Sequence, residues 1–338
     1  MPSSGSHARV HRICAAGGDA LTLRLQLLDA IRSAIAFDFH VWLLTDPETS
    51  VGAAPLADVP AALLPRLPEL IRLKYLTTVN RWTSLTGAAL LSGGDRSQSR
   101  VWRELLADQG VADVASVVFR DRYGCWGFLD LWRSAPFAAA DAAFLTGIAE
   151  PVTAALRRSQ ADTFAGFPVR DPGHGGPAVL LLSPTLEVVG TTPETHDYLR
   201  VLVPPAQGRS PVPAGAYNVA AQLLANEEGV DSSPPRARVH LADGLWLSMR
   251  AARIGADGIA VTIEKATPAE RLVLFARAAG LSAREAEVLD HLAAGPGTRE
   301  LAHRLHLSEH TVQDHLKAIF AKTGTRSRQS LVSRALGG

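Results

Sequence analysis

At Pro268 the sequence changes its periodicity. Through residues 1–267, runs with strand-like alternation and runs with helical spacing follow one another; from Pro268 to Gly338 only helical spacing remains. Mixed patterns and a purely helical one bury their apolar faces in different layer architectures, so the change predicts a boundary between an α+β part and an all-α domain at residues 268–338. A chain of 338 residues has room for two or three domains, and at 47% hydrophobic and 20% charged each can bury a core, which excludes wholesale disorder.

Charge follows the same boundary. The chain as a whole carries a formal +1, but residues 269–338 hold ten Arg or Lys against seven Asp or Glu, so a basic tail of +3 follows a body of −2. A basic C-terminal domain points to nucleic acid. Two cysteines, Cys14 and Cys125, support neither a disulfide framework nor a four-thiolate metal site, and predict a reducing compartment. The first twenty residues lack a continuous apolar core and the longest apolar runs, such as Pro177–Pro184, fall far short of the ~20 residues a bilayer requires. The expectation is a cytoplasmic protein, associated with the nucleoid when bound to DNA.

Upstream, residues 1–18 are rich in Ser, Gly, His and Arg and are predicted to be a flexible N-terminus. Leu21, Leu25, Leu28, Ile31 and Ile35 recur at helical spacing, and His40–Thr45 reads as a strand ended by Asp46-Pro47. Helices fit Pro68–Thr77 and Gln98–Gln109. A hairpin follows, Ala115–Arg120 and Cys125–Arg133 about a turn at Asp121–Gly124, then a long helix from Asp141 to Gln160. This order predicts an α+β domain over residues 19–160. Residues 161–176 read as a linker, dense in Gly and Pro at Ala165–Gly176. Residues 177–267 predict a smaller α+β domain: strands Ala178–Ser183 and Leu186–Thr191, a helix at Pro193–Val201, a breaker stretch at Val203–Pro213 and a helix at Ala214–Asn226. Strands Arg236–Leu241, Leu245–Arg253 and Gly258–Glu264 close it, with tight turns at Asp243-Gly244 and Asp257-Gly258. No internal repeat is visible.

In the last domain Ser282 and Glu285 form a capping box that opens a helix ending near Ala294, and Gly295-Pro296-Gly297 stops it. Thr298 is placed to cap Arg299–Leu305, and Ser308 to cap Glu309–Lys322, which ends at Gly324. The intervening His306, Leu307 and Ser308 make these two helices a helix-turn-helix. On a wheel, Val312, Leu316, Ile319 and Phe320 share one face of the second helix. His310, Gln313, Asp314, Lys317 and Ala321 share the opposite face. Gln pairs bidentately with adenine, Lys reaches guanine or phosphate, and Asp accepts from cytosine, so the polar face suits a major groove. Glu309, Thr311, His315, Lys322, Arg326 and Arg328 flank it, with Thr298 and Arg299 beyond, where hydroxyls and cations meet phosphates. The wheel alone fits an ordinary solvated face equally well.

The stretch LSAREAEVLDHLAAG followed by TRELAHRLHLSEHTVQDHLKAIFAKTGTRSRQSLV resembles the LuxR-type DNA-binding domain of bacterial transcription regulators. The resemblance covers Leu281–Leu336 and rests on Arg284-Glu285, Glu287-Val288-Leu289, Leu301-Ala302, Ser308, Thr311-Val312, His315, Lys322, Ser327-Arg328 and Leu331-Val332. Gln313 departs from it, standing where the family commonly has Lys or Arg. The resemblance implies a four-helix domain whose third helix reads double-stranded promoter DNA. It also implies a homodimer paired through the fourth helix by Leu331, Val332 and Leu336, and RNA polymerase as a further partner. Upstream, the element order of Leu21–Gln160, with GCWGFLDLWR and Pro136-Phe137, resembles a GAF domain, and residues 177–267 resemble a compact PAS-like fold. A GAF-like domain implies a small-molecule ligand, and Trp42 and Trp126 are the candidate walls of its pocket, among Tyr75, Trp82, Trp102, Phe119 and Trp132 as further aromatics.

Other readings fare less well on residues. His306 and His310 have a zinc-compatible spacing, but a turn separates them and no cysteine is near. No phosphate-binding loop, dinucleotide fingerprint or nucleophile elbow is present, which disfavours an enzyme, and no cofactor is identified. The acidic cluster of a phospho-acceptor domain is missing too. Region 4 of a sigma factor shares the helix-turn-helix pattern but would follow a promoter-melting helical region. A sensor or scaffold acting through protein contacts stays open as the alternative from a different class.

Overall fold

The N-terminal residues expected to be mobile are largely helical. The computed structural model describes residues 4–165, 178–195, 198, 214–241, 245–295 and 297–337, and α1 (Ser4–Ala16) packs along α2 (Ala20–Arg32). Val10 and Cys14 are buried, Arg9 pairs with Asp29 at 2.5 Å, and His7 meets the Phe144 ring edge-on. Two apolar residues four apart are too few for a visible stripe; the neighbouring structure, not propensity, stabilises this helix. Asp19 caps α2 by accepting from the amides of Leu21 and Thr22. The helix is where its spacing predicts, and Leu28, Ile31 and Ile35 are buried as that spacing requires, but Leu21 and Leu25 are about half exposed, at 52% and 51%, and Leu23 and Leu27 are buried in their place. With leucines at 21, 23, 25, 27 and 28, apolar residues occupy several sides and periodicity cannot choose among them.

The first sheet comprises β1 (Phe39–Thr45), β2 (Gly52–Asp58), β3 (Ala88–Leu90), β4 (Asp113–Asp121) and β5 (Gly124–Arg133). Its order is β2-β1-β5-β4-β3, with every neighbouring pair antiparallel. The expected hairpin is β4–β5, closing on the Asp121–Gly124 pair. Asp121 accepts from the amides of Tyr123 and Gly124, and Gly124 has φ +155°, where a Cβ would collide with the Pro47 carbonyl. Strands β2 and β3 were not foreseen: β2 reads GAAPLAD, with a proline and no alternation, and β3 is three residues long. Helix α3 (Leu67–Leu76) follows β2, and α4 (Ala139–Asp162) follows β5 with Pro151 inside it.

A second five-stranded sheet comprises β6 (Ala178–Leu182), β7 (Val188–Thr191), β8 (Arg236–His240), β9 (Trp246–Ile254) and β10 (Gly258–Lys265). α5 (Ala214–Glu227) lies between β7 and β8 in the chain. Its order, β7-β6-β10-β9-β8, repeats the order of the first sheet. No sequence repeat announces this, so the two share a topology without a shared residue pattern. Pro193, Glu194, Thr195 and Tyr198 of the expected Pro193–Val201 helix are helical. The rest of that helix, Val203–Pro213, nearly all of Ala165–Gly176, the turn Asp243-Gly244 and Pro296 lie outside the described residues.

The chain divides into two compact units. Met1–Leu156, Gly173–Val239 and Leu247–Glu264 form one, which holds both sheets; Arg157–Pro172, His240–Trp246 and Lys265–Gly338 form the other. The sequence predicts three domains, yet both sheets belong to one unit for clear physical reasons. α5 packs on α3 and β2. Arg238, fully buried, donates to both carboxylate oxygens of buried Asp46 at 2.7 and 2.8 Å, and Arg81 pairs with Asp231 at 2.7 Å. Leaving either partner of such a pair unmatched in the interior is costly, so the pairs couple the two sheets' blocks.

Among the described residues, Lys265–Gly338 holds the four expected helices, α7 (Ala283–Ala293), α8 (Thr298–Leu305), α9 (Glu309–Thr323) and α10 (Arg328–Leu336), preceded by a further one, α6 (Pro268–Ala278). α6 opens with a capping box of its own, Thr267 with Glu270. Phe164, at the end of α4, stacks on Trp246 at 5.1 Å and meets Phe275 of α6 edge-on at 5.4 Å. Among the described residues, no helix is long and apolar enough to cross a membrane.

Candidate nucleic-acid interface

The site is built from α7, α8 and α9. Ser282 and Glu285 form the expected capping box, the Glu285 carboxylate accepting from the Ser282 amide at 2.6 Å and the Ser282 hydroxyl accepting from the Glu285 amide at 3.3 Å. The Glu285 carboxylate also receives Lys322 of α9 at 2.5 Å. Burial works to raise the Glu285 pKa, but the hydrogen bonds from Lys322 and Ser282 outweigh it and hold the carboxyl below the ordinary glutamate range. One residue thus caps α7 and ties it to α9. Arg284 adds a second tie, donating to the Leu305 carbonyl at the end of α8.

Gly297, not Thr298, is the residue before α8, and no side chain caps it; Thr298 is its first helical residue. The turn between α8 and α9 is sharp because His306 takes a left-handed conformation, φ +54°, which lets the Leu307 amide reach the Ala302 carbonyl at 2.9 Å. Ser308 then caps α9 as expected, accepting from the Thr311 amide at 3.1 Å. The left-handed Gly324 ends the helix.

On α9, Val312, Leu316 and Ile319 are buried and His310, Gln313, Asp314, Lys317 and Ala321 are exposed, as the wheel predicts, while Phe320, expected on the inward face, is half-buried. Asp314 sits between two bases, 3.2 Å from Lys317 and 3.5 Å from His310. All three side chains are more than half exposed, so these pairs are weak and can exchange for contacts with bases. Glu309, Arg299 and Arg326 are exposed beside the face, and Thr311 and His315 are half-buried.

Six of the sequence-predicted site residues sit differently from expectation. Lys322 is engaged by Glu285, and Arg328 donates to Thr298 Oγ1 at 2.5 Å, so these three are already committed within the fold. Leu331 is fully buried in the unit's own interior and cannot form a pairing surface; Val332 and Leu336 are half-buried. The reason is helical phase: on α10, Leu331 and Ala335 form the inward stripe, and an apolar residue in a short helix goes inward before it goes to a partner. In the other unit, Trp42 packs on Phe119 at 5.2 Å, and Trp126 donates to Asp121 at 2.9 Å. Neither lines the cavity of about 300 Å³ found there, which is walled instead by other aromatics including Tyr75, Trp102 and Trp132. Along β1, Val41 and Leu43 line that cavity and Trp42, between them, points to the other face.

Residues 279–335 match the family of bacterial regulatory proteins of the luxR type. The match covers the helix-turn-helix segment alone, 57 of the 338 residues. Over 57 residues the chain is 42% identical to a probable HTH-type transcriptional regulator, GfsR, of Streptomyces halstedii; the match spans 17% of this chain and 24% of that relative's length. Among solved structures, the crystal structure of Escherichia coli SdiA aligns with 99% of this chain and 97% of its own, at 12% identity and a TM-score of 0.37.

Proposed function

We propose that the chain is a one-component transcription regulator in which α9 enters the major groove of double-stranded promoter DNA. The observation that carries this reading is the geometry of α9: a capped helix, tied to α7 and α8, that presents Gln313, Asp314 and Lys317 outward within a luxR-type domain. In this reading Gln313 and Lys317 address base edges, Asp314 selects among them by accepting or repelling, and Arg299 and Arg326 contact phosphates. Lys322, Arg328 and Thr298 act indirectly, by holding α9 and α10 in place. Two copies pair on DNA through the exposed parts of Val332 and Leu336, which sets two half-sites about one helical turn apart. The blocks upstream, GAF-like and PAS-like in element order and alike in strand order, sense a signal and control that pairing from the cytoplasm. RNA polymerase is the partner on which an activator of this kind acts.

The double variant Lys317→Ala with Gln313→Ala is the direct test. At ~1–3 kcal/mol per base contact, specific binding falls by several kcal/mol in a gel-shift titration. Full operator affinity in the double variant would remove α9's exposed face from the account.

A further inference from the structure

The last turn of α9 is held from outside the helix-turn-helix. Thr323 ends α9, and its carbonyl is among those that an α-helix leaves without an intrahelical partner. Arg334 of α10 supplies the missing donor, its Nη1 reaching the Thr323 oxygen at 2.7 Å, and a cation suits the negative end of a helix dipole. The same guanidinium turns its Nε to the backbone carbonyl of Phe164, 3.2 Å away and just past the end of α4. One planar fork therefore joins two carbonyls that are far apart in the sequence.

Phe164 is seated firmly enough to make its carbonyl a fixed point. Arg157–Pro172 belongs to the same compact unit as Lys265–Gly338. The Phe164 side chain is 1% exposed, stacked on Trp246, edge-on to Phe275 and 5.2 Å from the Arg271 guanidinium. Arg271 in turn donates to the Arg334 carbonyl at 3.4 Å, so α6, α10 and the segment after α4 close on one another. With Nε and Nη1 both on carbonyls, half-buried Arg334 differs from Arg299 and Arg326, which stand exposed beside the reading face. We infer that Arg334 is a positioning residue for DNA binding, one that couples the seat of Phe164 to the C-terminal end of α9. A helix moves as a rigid element, so displacing its end re-aims Gln313 and Lys317. The effect on DNA rests on the reading that α9 enters the major groove; the coupling within the unit does not.

The test uses the full chain with Arg334→Gln, Phe164→Ala and the double variant. Amide hydrogen exchange reads the coupling without DNA. Each single variant is expected to speed exchange at Ala321, Lys322 and Thr323, and the double variant no further than either alone. Phe164→Leu, which keeps an apolar side chain in the seat, should fall between the parent and Phe164→Ala. Gel-shift titration on the genomic fragment most enriched by the parent reads the consequence. Each single variant should bind that fragment about fivefold more weakly, the loss of roughly one net hydrogen bond, and the double variant about fivefold rather than about twenty-five-fold. The dependence of affinity on salt should stay at the parent's slope; a slope shallower by about one in Arg334→Gln would make Arg334 a phosphate contact and overturn its positioning role. Unchanged exchange at the end of α9 in Phe164→Ala, or losses that simply add, would overturn the coupling. Full affinity in Arg334→Gln would overturn its effect on DNA. A parent that enriches no fragment fails the α9 reading and the DNA effect with it, while exchange still decides the coupling.

Discussion

His306 shows how much of the site depends on single backbone conformations. A residue with a Cβ rarely adopts φ +54°, and here the conformation sets the angle at which α9 leaves α8. His306→Gly is expected to raise thermal stability by up to about 1 kcal/mol while leaving the turn in place. Glu285 is the second such residue, and its contribution depends on pH. Its folded-state pKa lies below the ordinary 4.5, so its stabilisation is present in full above that value and is lost as pH falls through the lower, folded-state one. Glu285→Gln should cost about 1–2 kcal/mol near pH 7, discounted because Lys322 is one-third exposed, and the gap to the parent should narrow as pH falls below 4.5. Chemical denaturation at several pH values reads this directly. A gap that stays constant with pH would remove the ion pair as its cause.

At the level of elements, what was legible in the sequence depended on how the information was encoded. Local chemistry was legible: Ser282 with Glu285, Ser308, Gly324 and the Asp121–Gly124 turn all act where spacing places them. The exposed and buried faces of α9 followed from the wheel for the same reason, since a helix with clean segregation has only one phase. Elements stabilised by their surroundings were not legible. α1 has almost no apolar stripe, β2 holds Pro55 and alanines, and α2 has apolar residues on too many sides to choose a phase. Tyr75, Trp102 and Trp132 of the cavity are among the aromatics the sequence offers, but its charged pair is not legible: Lys74 and Asp130 lie far apart in sequence, and nothing in either segment announces the other. The Thr267–Glu270 box was within reach of the same pattern that found Ser282–Glu285. Thr267→Ala should lower stability by about 1 kcal/mol in a thermal melt, the usual cost of a lost cap.

The two-sheet unit is a molecule-scale fact, resting on residues more than a hundred positions apart. Arg238 and Asp46 are both fully buried; burial works against the Arg238 charge, yet Asp46 and Glu48 raise its pKa above the ordinary arginine value. Arg238→Met leaves Asp46 unmatched and should destabilise the unit by about 3–5 kcal/mol in urea, with much of the loss recovered when Asp46 is also replaced by an apolar residue. Asp231 gives the corresponding pH signature. Burial favours its neutral form, but the Ser233 amide and Arg81 hold its pKa down to about 2, so the stabilisation it contributes is complete above about 3.8 and lost as pH falls toward 2. For Asp231→Asn, the acid limb of unfolding should be shallower than in the parent.

The central claim is that α9 reads DNA sequence, and sequencing the genomic DNA retained by the full-length protein at two salt concentrations tests it most directly. The account predicts enrichment of one motif with two half-sites about one helical turn apart, and retention that falls steeply with salt as phosphate contacts are screened. Retention without a motif, or no retention at either salt by the full chain or by residues 269–338 alone, would contradict it.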